Sequence, residues 1–262
     1  MKLARFRTPD GKVRHGIIDG PTMRGLHGDL FGRRAATGEQ WPLAQVRLLA
    51  PLEPAAILCF GRNYKAHAEE GGSDIPQEPL LFIKAGSALN DPGAPIVIPK
   101  VAPAQVDYEA ELAVVIGQAA RHVTPERALD HVLGYTCAND VSARDCQVRD
   151  GQWARAKSFD TFCPLGPWIE TELDPANVRV QGRLNGNVMQ DASTALMIFS
   201  VRHLVSYLSR GMTLPPGTVL LTGTPAGCGF AQKPPVWLKP GDVFEVEIEG
   251  LGVLRNPVSE ET

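Results

Sequence analysis

Two glutamates, Glu109 and Glu111, stand two residues apart in the run Val106–Gly117, which is otherwise almost wholly apolar. β-Branched and aromatic residues, no interior Gly or Pro, and a closing Gly mark this run as a strand. Side chains alternate along a strand, so both carboxylates take one face, about 7 Å apart. The same face continues through Ala113 and Val115, while Tyr108, Ala110, Leu112, Val114 and Ile116 take the other. Both faces therefore read as buried. Two buried anions this close are strongly unfavourable without a compensating cation. A divalent metal held by carboxylate oxygens supplies one; a solvated or arginine-paired face is the alternative.

The chain carries its own control for that pattern. In Asp242–Glu249, residues Glu245, Glu247 and Glu249 share a face, while Phe244, Val246 and Ile248 take the opposite one. That is the pattern of a half-buried strand with one wet side. A second candidate for chemistry lies in Arg62–Gly72, read as one or two helical turns ending at its glycines. There His67 and Glu70 are spaced i, i+3 and fall on one side. A surface turn followed by the Gly- and Pro-punctuated loop Gly71–Pro79 is the plainer reading.

The elements that would position these residues can be taken in order. Leu3–Phe6 and Val13–Ile18 flank Thr8-Pro9-Asp10-Gly11-Lys12 and read as a hairpin. Residues 21–50 show less regular patterning. Pro51-Leu52-Glu53-Pro54 reads as a linker, which divides the chain into a small N-terminal β-unit (1–53) and a larger domain (54–262). Strands are expected at Ala56–Gly61, Leu80–Lys84, Tyr135–Asp140 and Val219–Thr222. Helices are expected from Thr124-Pro125-Glu126 to about Val132 or Leu133, and over Ser200–Gly211, each with an N-cap residue. The turn Gly223–Gly229 follows a strand and can present N–H groups to an anion, but it lacks the Lys-Ser/Thr ending of a Walker A loop. The fold class read from these elements is mixed α/β, predominantly β.

At 262 residues with 44% apolar content, the chain has ample material for a core. A net charge of −3 and no long basic run argue against nucleic acid as partner. No apolar run reaches membrane-spanning length and no signal-peptide core opens the chain, so a cytoplasmic enzyme is expected. The five cysteines (59, 137, 146, 163 and 228) are dispersed without a Cys-x-x-Cys pair, which reads as reduced thiols and disfavours zinc.

Five motifs occur in order: Gly61-Arg62-Asn63-Tyr64 with His67 and Glu70; Tyr108-Glu109-Ala110-Glu111-Leu112; Asn139-Asp140-Val141-Ser142-Ala143-Arg144-Asp145 with Gln147; Ala156-Lys157-Ser158-Phe159-Asp160; and Leu221-Thr222-Gly223-Thr224-Pro225. Together they resemble the fumarylacetoacetate hydrolase family. The resemblance implies a rolled mixed β-sandwich and a homodimer. It implies Mg²⁺ or Mn²⁺ on Glu109, Glu111 and Asp140, with Ca²⁺ able to take the same cage in crystals. An all-oxygen site suits a hard cation. It further implies His67, Glu70 and Lys157 as catalytic residues, and Arg62, Tyr64, Gln147, Lys157 and Thr224 as substrate ligands. Arg144 reads as a structural ion-pair partner. The implied substrate is a small 2-oxo acid, and hydrolytic cleavage of an acylpyruvate through a metal-stabilised enolate is the expected reaction. Isomerisation of a 2-hydroxyhepta-2,4-diene-1,7-dioate, decarboxylation of oxaloacetate and non-catalytic oxo-acid binding are the alternatives.

Overall fold

The computed structural model describes residues 1–262. The chain opens as a β-unit: β1 (Lys2–Arg7), β2 (Val13–Asp19), β3 (Thr22–Gly28), β4 (Arg34–Pro42) and β5 (Arg47–Leu49). The first hairpin pairs as expected, with Leu3 opposite Ile17. Residues 21–50 are more regular than their patterning suggested. They form β3, β4 and β5, and β4 is mostly exposed, so no apolar alternation marks it. Phe6, Ala4 and Met23 make a small core of their own beneath this unit.

The larger part continues with β6 (Ala56–Gly61), α1 (Lys65–Glu70), β7 (Leu80–Lys84), β8 (Leu89–Asn90), β9 (Ile96–Ile98), β10 (Val106–Asp107) and β11 (Ala110–Ile116). Then follow β12 (Val132–Asn139), β13 (Ser142–Ala143), α2 (Arg144–Asp150), α3 (Trp153–Ala156) and β14 (Cys163–Glu170). The chain ends through β15 (Arg179–Leu184), β16 (Asn187–Ser193), α4 (Val201–Gly211), β17 (Thr218–Leu221), β18 (Val243–Ile248) and β19 (Gly252–Glu260). Strands outweigh helices, and the architecture is the mixed, predominantly β one expected. The main sheet runs β4-β3-β2-β1-β14-β12-β11-β17-β6-β7, with β5 on β1 and β8 on β14. A second sheet, β16-β15-β18-β19-β9, packs across it. Tyr108 stacks on Phe244 between the layers, ring centroids 4.5 Å apart.

Three local expectations are corrected. The strand over 106–117 is broken at Tyr108-Glu109, because side chains take over the backbone partners there. Asp107 accepts from the Tyr108 N–H, Asn139 Oδ1 from the Glu109 N–H, and Gln190 Oε1 from the Ala110 N–H. The segment after Thr124 is a 3₁₀ helix, Pro125–His131, in which only Ala128 is buried; so narrow an apolar stripe does not hold a full α-helix against the core. Residues 144–156, given no element from their pattern, form α2 and α3. The helix at 200–211 is as expected, with Ser200 capping through the His203 N–H. All five cysteines are buried and free.

Candidate active site

The centre of the main sheet delivers the carboxylates. β11 lies between β12 and β17, antiparallel to both, and every residue of it is buried. Glu109 stands in the break before β11 and Glu111 is its second residue, so both enter from one face. Asp140 follows directly on β12, and its N–H donates to the Glu109 carbonyl at 2.9 Å. One oxygen from each of Glu109, Glu111 and Asp140 falls within 4.8 Å of the others, and all three residues are buried.

Charge within this cluster is not balanced. Four buried carboxylates, Asp107, Glu109, Glu111 and Asp140, meet three buried cations, Lys84, Arg144 and Lys157. Lys157 Nζ donates to Glu109 (2.9 Å), Asp140 (2.7 Å) and the Ser142 hydroxyl (2.8 Å). Arg144 bridges Asp107 (2.9 Å) and Glu109 (2.7 Å), and Lys84 pairs with Asp140. Glu111 has no cation in contact; its Oε2 accepts only the Gly223 N–H, at 2.6 Å. Gly223 sits at φ +99°, and a Cβ there would lie 2.7 Å from Asn63 Cβ, so glycine is what lets that N–H approach. The titration directions follow. Burial pushes Glu109 up, but Lys157 and Arg144 pull it further down, to well below the usual carboxylate range. Burial, then Asp140 and Glu109, push Glu111 well above it. Burial lowers Lys157, yet Asp140 and Glu109 hold it above the ordinary lysine value.

Above the carboxylates opens a cavity of about 480 Å³. Of the residues singled out from sequence, Arg62, His67, Glu109, Glu111, Gln147, Lys157 and Thr224 line it. Asp140 lies beneath the wall, with its oxygens on Lys84 and Lys157. Tyr64 is not brought into the cavity: its ring is buried in the packing and its hydroxyl has no partner. His67 Nδ1 is 2.8 Å from Glu70 Oε1, so α1 forms as expected and joins the two side chains. The other Glu70 oxygen accepts the Gly227 N–H at 2.8 Å, which fixes the carboxylate against the Gly-rich turn. Asn63 positions α1 from below: its amide bonds Phe199 and Thr222 carbonyls and accepts the Phe199 N–H. Arg62 lies over the Trp153 ring, 5.6 Å from its centroid. Thr224 donates to the Ala110 carbonyl and Gln147 accepts from Arg144, so both are held in position.

Several members escaped the sequence reading. Asp107 shares the 109/111 face by alternation and could have been found that way; it organises Arg144 and accepts from the Gly229 and Phe230 N–H groups. Lys84, a lone cation ending an apolar strand, is a weaker signal. Gln190, which bonds Ala110, Thr224 and Pro225, left no mark in the sequence.

A donor set of three carboxylates with one buried anion uncompensated fits a hard divalent cation. Known proteins carry the same arrangement of chain. A family model described as Fumarylacetoacetate (FAA) hydrolase C-terminal matches residues 56–259, and one described as Rv2993c-like, N-terminal matches residues 1–51. Protein Rv2993c of Mycobacterium tuberculosis is 46% identical over 98% of this chain and 98% of its own length. A mitochondrial oxaloacetate tautomerase, fahd2, of Xenopus laevis is 46% identical over 82% of this chain and 69% of its own. The crystal structure of a 2-hydroxyhepta-2,4-diene-1,7-dioate isomerase from Mycobacterium marinum superposes with a TM-score of 0.90 at 44% identity, covering 100% of this chain and 99% of that one.

Proposed function

Because this chain belongs to the fumarylacetoacetate hydrolase family, we propose that it is a divalent-metal-dependent enzyme that interconverts keto and enol forms of a small 2-oxo dicarboxylic acid, of the oxaloacetate or hydroxyheptadienedioate kind. The observation that carries this reading is His67 on the wall of a cavity whose floor is Glu109 and Glu111, with Glu70 behind it 2.8 Å from Nδ1. Mg²⁺ or Mn²⁺ on Glu109, Glu111 and Asp140 would act as a Lewis acid toward the carboxylate and 2-oxo oxygens of the substrate.

The chain's own groups do the rest. An imidazole whose Nδ1–H is held by Glu70 offers Nε2 as a base, and Glu70 steadies the imidazolium that forms. Nε2 takes the proton from C3, giving the enolate, and the enol forms when a proton is returned to oxygen. The enolate is the costly species, and Lys157 adds positive charge beside the carboxylate floor. Arg62, the Gln147 amide and the backbone N–H of Thr224, whose hydroxyl is spent on the Ala110 carbonyl, supply donors for the substrate's carboxylates. Tyr64 keeps a supporting part in this proposal, packed behind the wall.

A second reading, hydrolytic C–C cleavage of an acylpyruvate, uses the same pair to take a proton from water. It is favoured by the size of the cavity, about 480 Å³, which holds an acyl tail and a water of about 30 Å³ together. Decarboxylation of oxaloacetate releases CO₂ and leaves the enolate of pyruvate, the same species that acylpyruvate cleavage leaves. A homodimer, a cytoplasmic setting and a division into an N-terminal β-unit (1–53) and a catalytic domain (54–262) belong to this proposal too. Light scattering checks the dimer, and limited proteolysis at the Pro51–Pro54 linker checks the division.

The deciding test is turnover of the purified protein, loaded with Mg²⁺ or Mn²⁺, on oxaloacetate, hydroxyheptadienedioate and acylpyruvates. Proton exchange at C3 in the first two is the expected result. His67→Ala and Glu70→Ala should each lose about a hundredfold or more in kcat while still binding metal. Unchanged turnover in both variants removes the pair from the reaction. Tight 2-oxo acid binding without turnover on any substrate points to a non-catalytic binder instead.

A further inference from the structure

The reaction proposed above uses the Nε2 side of His67. On its Nδ1 side, beside Glu70, stands a thiol that the reaction does not use. His67, Glu70 and Cys228 each bring one ligand atom within 4.8 Å of the others. Cys228 Sγ is 3.8 Å from His67 Nδ1, and Nδ1 is 2.8 Å from Glu70 Oε1. We infer that His67, Glu70 and Cys228 form a second metal site, one that takes Zn²⁺ and switches the catalytic pair off.

The donor chemistry separates this site from the carboxylate floor. One sulfur, one imidazole nitrogen and one carboxylate oxygen make the set that a borderline-soft tetrahedral ion prefers, and a poor set for Mg²⁺. Zn–S and Zn–N bonds of about 2.3 and 2.05 Å give a tetrahedral S–N edge of about 3.6 Å, close to the 3.8 Å observed. The N–O edge for such an ion is about 3.3 Å, so Glu70 must swing outward by about half an ångström. Its carboxylate is partly exposed, and so is the imidazole, which lines the cavity and gives the ion a way in.

The surroundings orient all three ligands, as the outer partners of a metal site do. The free Glu70 oxygen is held by the Gly227 N–H at 2.8 Å. The Gln190 amide lies 3.6 Å from the Cys228 sulfur, and Phe230 meets the imidazole edge-on. Burial, then Asp107 and Glu109, push the Cys228 thiol well above its ordinary value, so without an ion it stays protonated and unreactive. Coordination displaces that proton to solvent.

The consequence for catalysis follows from imidazole tautomers and rests on the function proposed above. With Nδ1 bound to an ion, the ring proton moves to Nε2, and Nε2 no longer has a lone pair for the substrate. The Glu70 contact that steadies the imidazolium is lost in the same step.

The test uses the full chain saturated with Mg²⁺. Zn²⁺ added in slight excess should bind with one further equivalent and lower kcat about a hundredfold, the usual worth of a general base. Cys228→Ala should turn over as the unaltered chain does and lose this inhibition. Co²⁺ in place of Zn²⁺ should show a thiolate-to-cobalt charge-transfer band in the near ultraviolet, absent in Cys228→Ala. Absence of that band in the unaltered protein, or equal Zn²⁺ inhibition of Cys228→Ala, overturns the site. Cys228→Val serves if the alanine variant misfolds by circular dichroism. The cobalt band needs no substrate, so an inactive but band-forming protein would sink the proposed reaction and leave the metal site standing.

Discussion

Two strands of this protein carry the same Glu-x-Glu motif and lie back to back. Glu109 and Glu111 precede and enter β11; Glu245 and Glu247 belong to β18. Their opposite faces meet in the core, where Tyr108 stacks on Phe244. The acids of β18 point to solvent and pair with Arg183 and Arg255 at the surface. The acids at β11 point into a cluster from which water is largely excluded, and draw in Lys157 and Arg144. Two motifs of identical spacing thus differ only in what covers them. At the surface, solvent screens like charges and an ion pair is worth about 0–1 kcal/mol. In the interior the same charges must be matched one by one. Glu111 is the one acid of the cluster that no cationic side chain matches.

The sharpest way to break this comparison is to neutralise both pairs. Glu109→Gln or Glu111→Gln should lower kcat at least about a thousandfold and abolish Mg²⁺ or Mn²⁺ binding by calorimetry. Glu245→Gln and Glu247→Gln should stay within about threefold of the unaltered chain, as surface substitutions away from the site do. Equal losses in both pairs would erase the distinction.

Removing one arginine from each cluster should give the next largest difference. Arg144→Met takes the one cation from buried Asp107 and leaves Glu109 with Lys157 alone, at a cost of about 3–5 kcal/mol. Arg183→Met should cost about 1 kcal/mol or less. Thermal denaturation reads this as a Tm lowered by roughly 10 °C in the first and roughly 2 °C in the second.

The smallest effect sharpens the comparison through pH. The folded, metal-free protein raises the Glu111 carboxyl above its unfolded value of 4.5. The fold therefore prefers the protonated acid: its contribution is fully present below that value and is lost as pH rises through the elevated folded one. Glu109 runs the other way. It is held low by Lys157 and Arg144, so its contribution is present above the unfolded value and lost as pH falls. Metal-free Glu111→Gln should thus be more stable than the unaltered chain at pH 7, by about 1 kcal/mol or more, with Gln still able to accept the Gly223 N–H. Glu109→Gln should be less stable there. Mg²⁺ should reverse the Glu111 result, because only the unaltered chain then gains a ligand. Denaturant titrations with and without the ion check each arm.

Much of the fold was legible where local chemistry is strong. The Pro-Asp-Gly turn named the first hairpin, the alternation of β18 was read without error, and Ser200 announced α4. Segments held by distant side chains were not. The break before Ala110 depends on Asn139 and Gln190, which are 30 and 80 residues away. β4 lies exposed, and the helices of residues 144–156 are too short for a periodic signal. Within the site, Glu109, Glu111 and the His67–Glu70 pair could be named from spacing. Asp140 and Lys157 came only through resemblance, and Lys84, Asp107 and Gln190 were not named at all.

By itself the sequence determined which residues could share a face or a turn, because alternation along a strand and the i, i+3 step of a helix are properties of the local backbone. It therefore determined the carboxylate pair, the His–Glu pair and the largely β character of the chain. Only the tertiary structure decided which Glu-x-Glu pair would be buried, which cations would answer it and which carboxylate would be left without one. It also carried Cys228 to His67 across 161 residues of chain. Those outcomes depend on what lies across the core, and the energy of a charge is set by its whole surroundings, not by its neighbours in sequence.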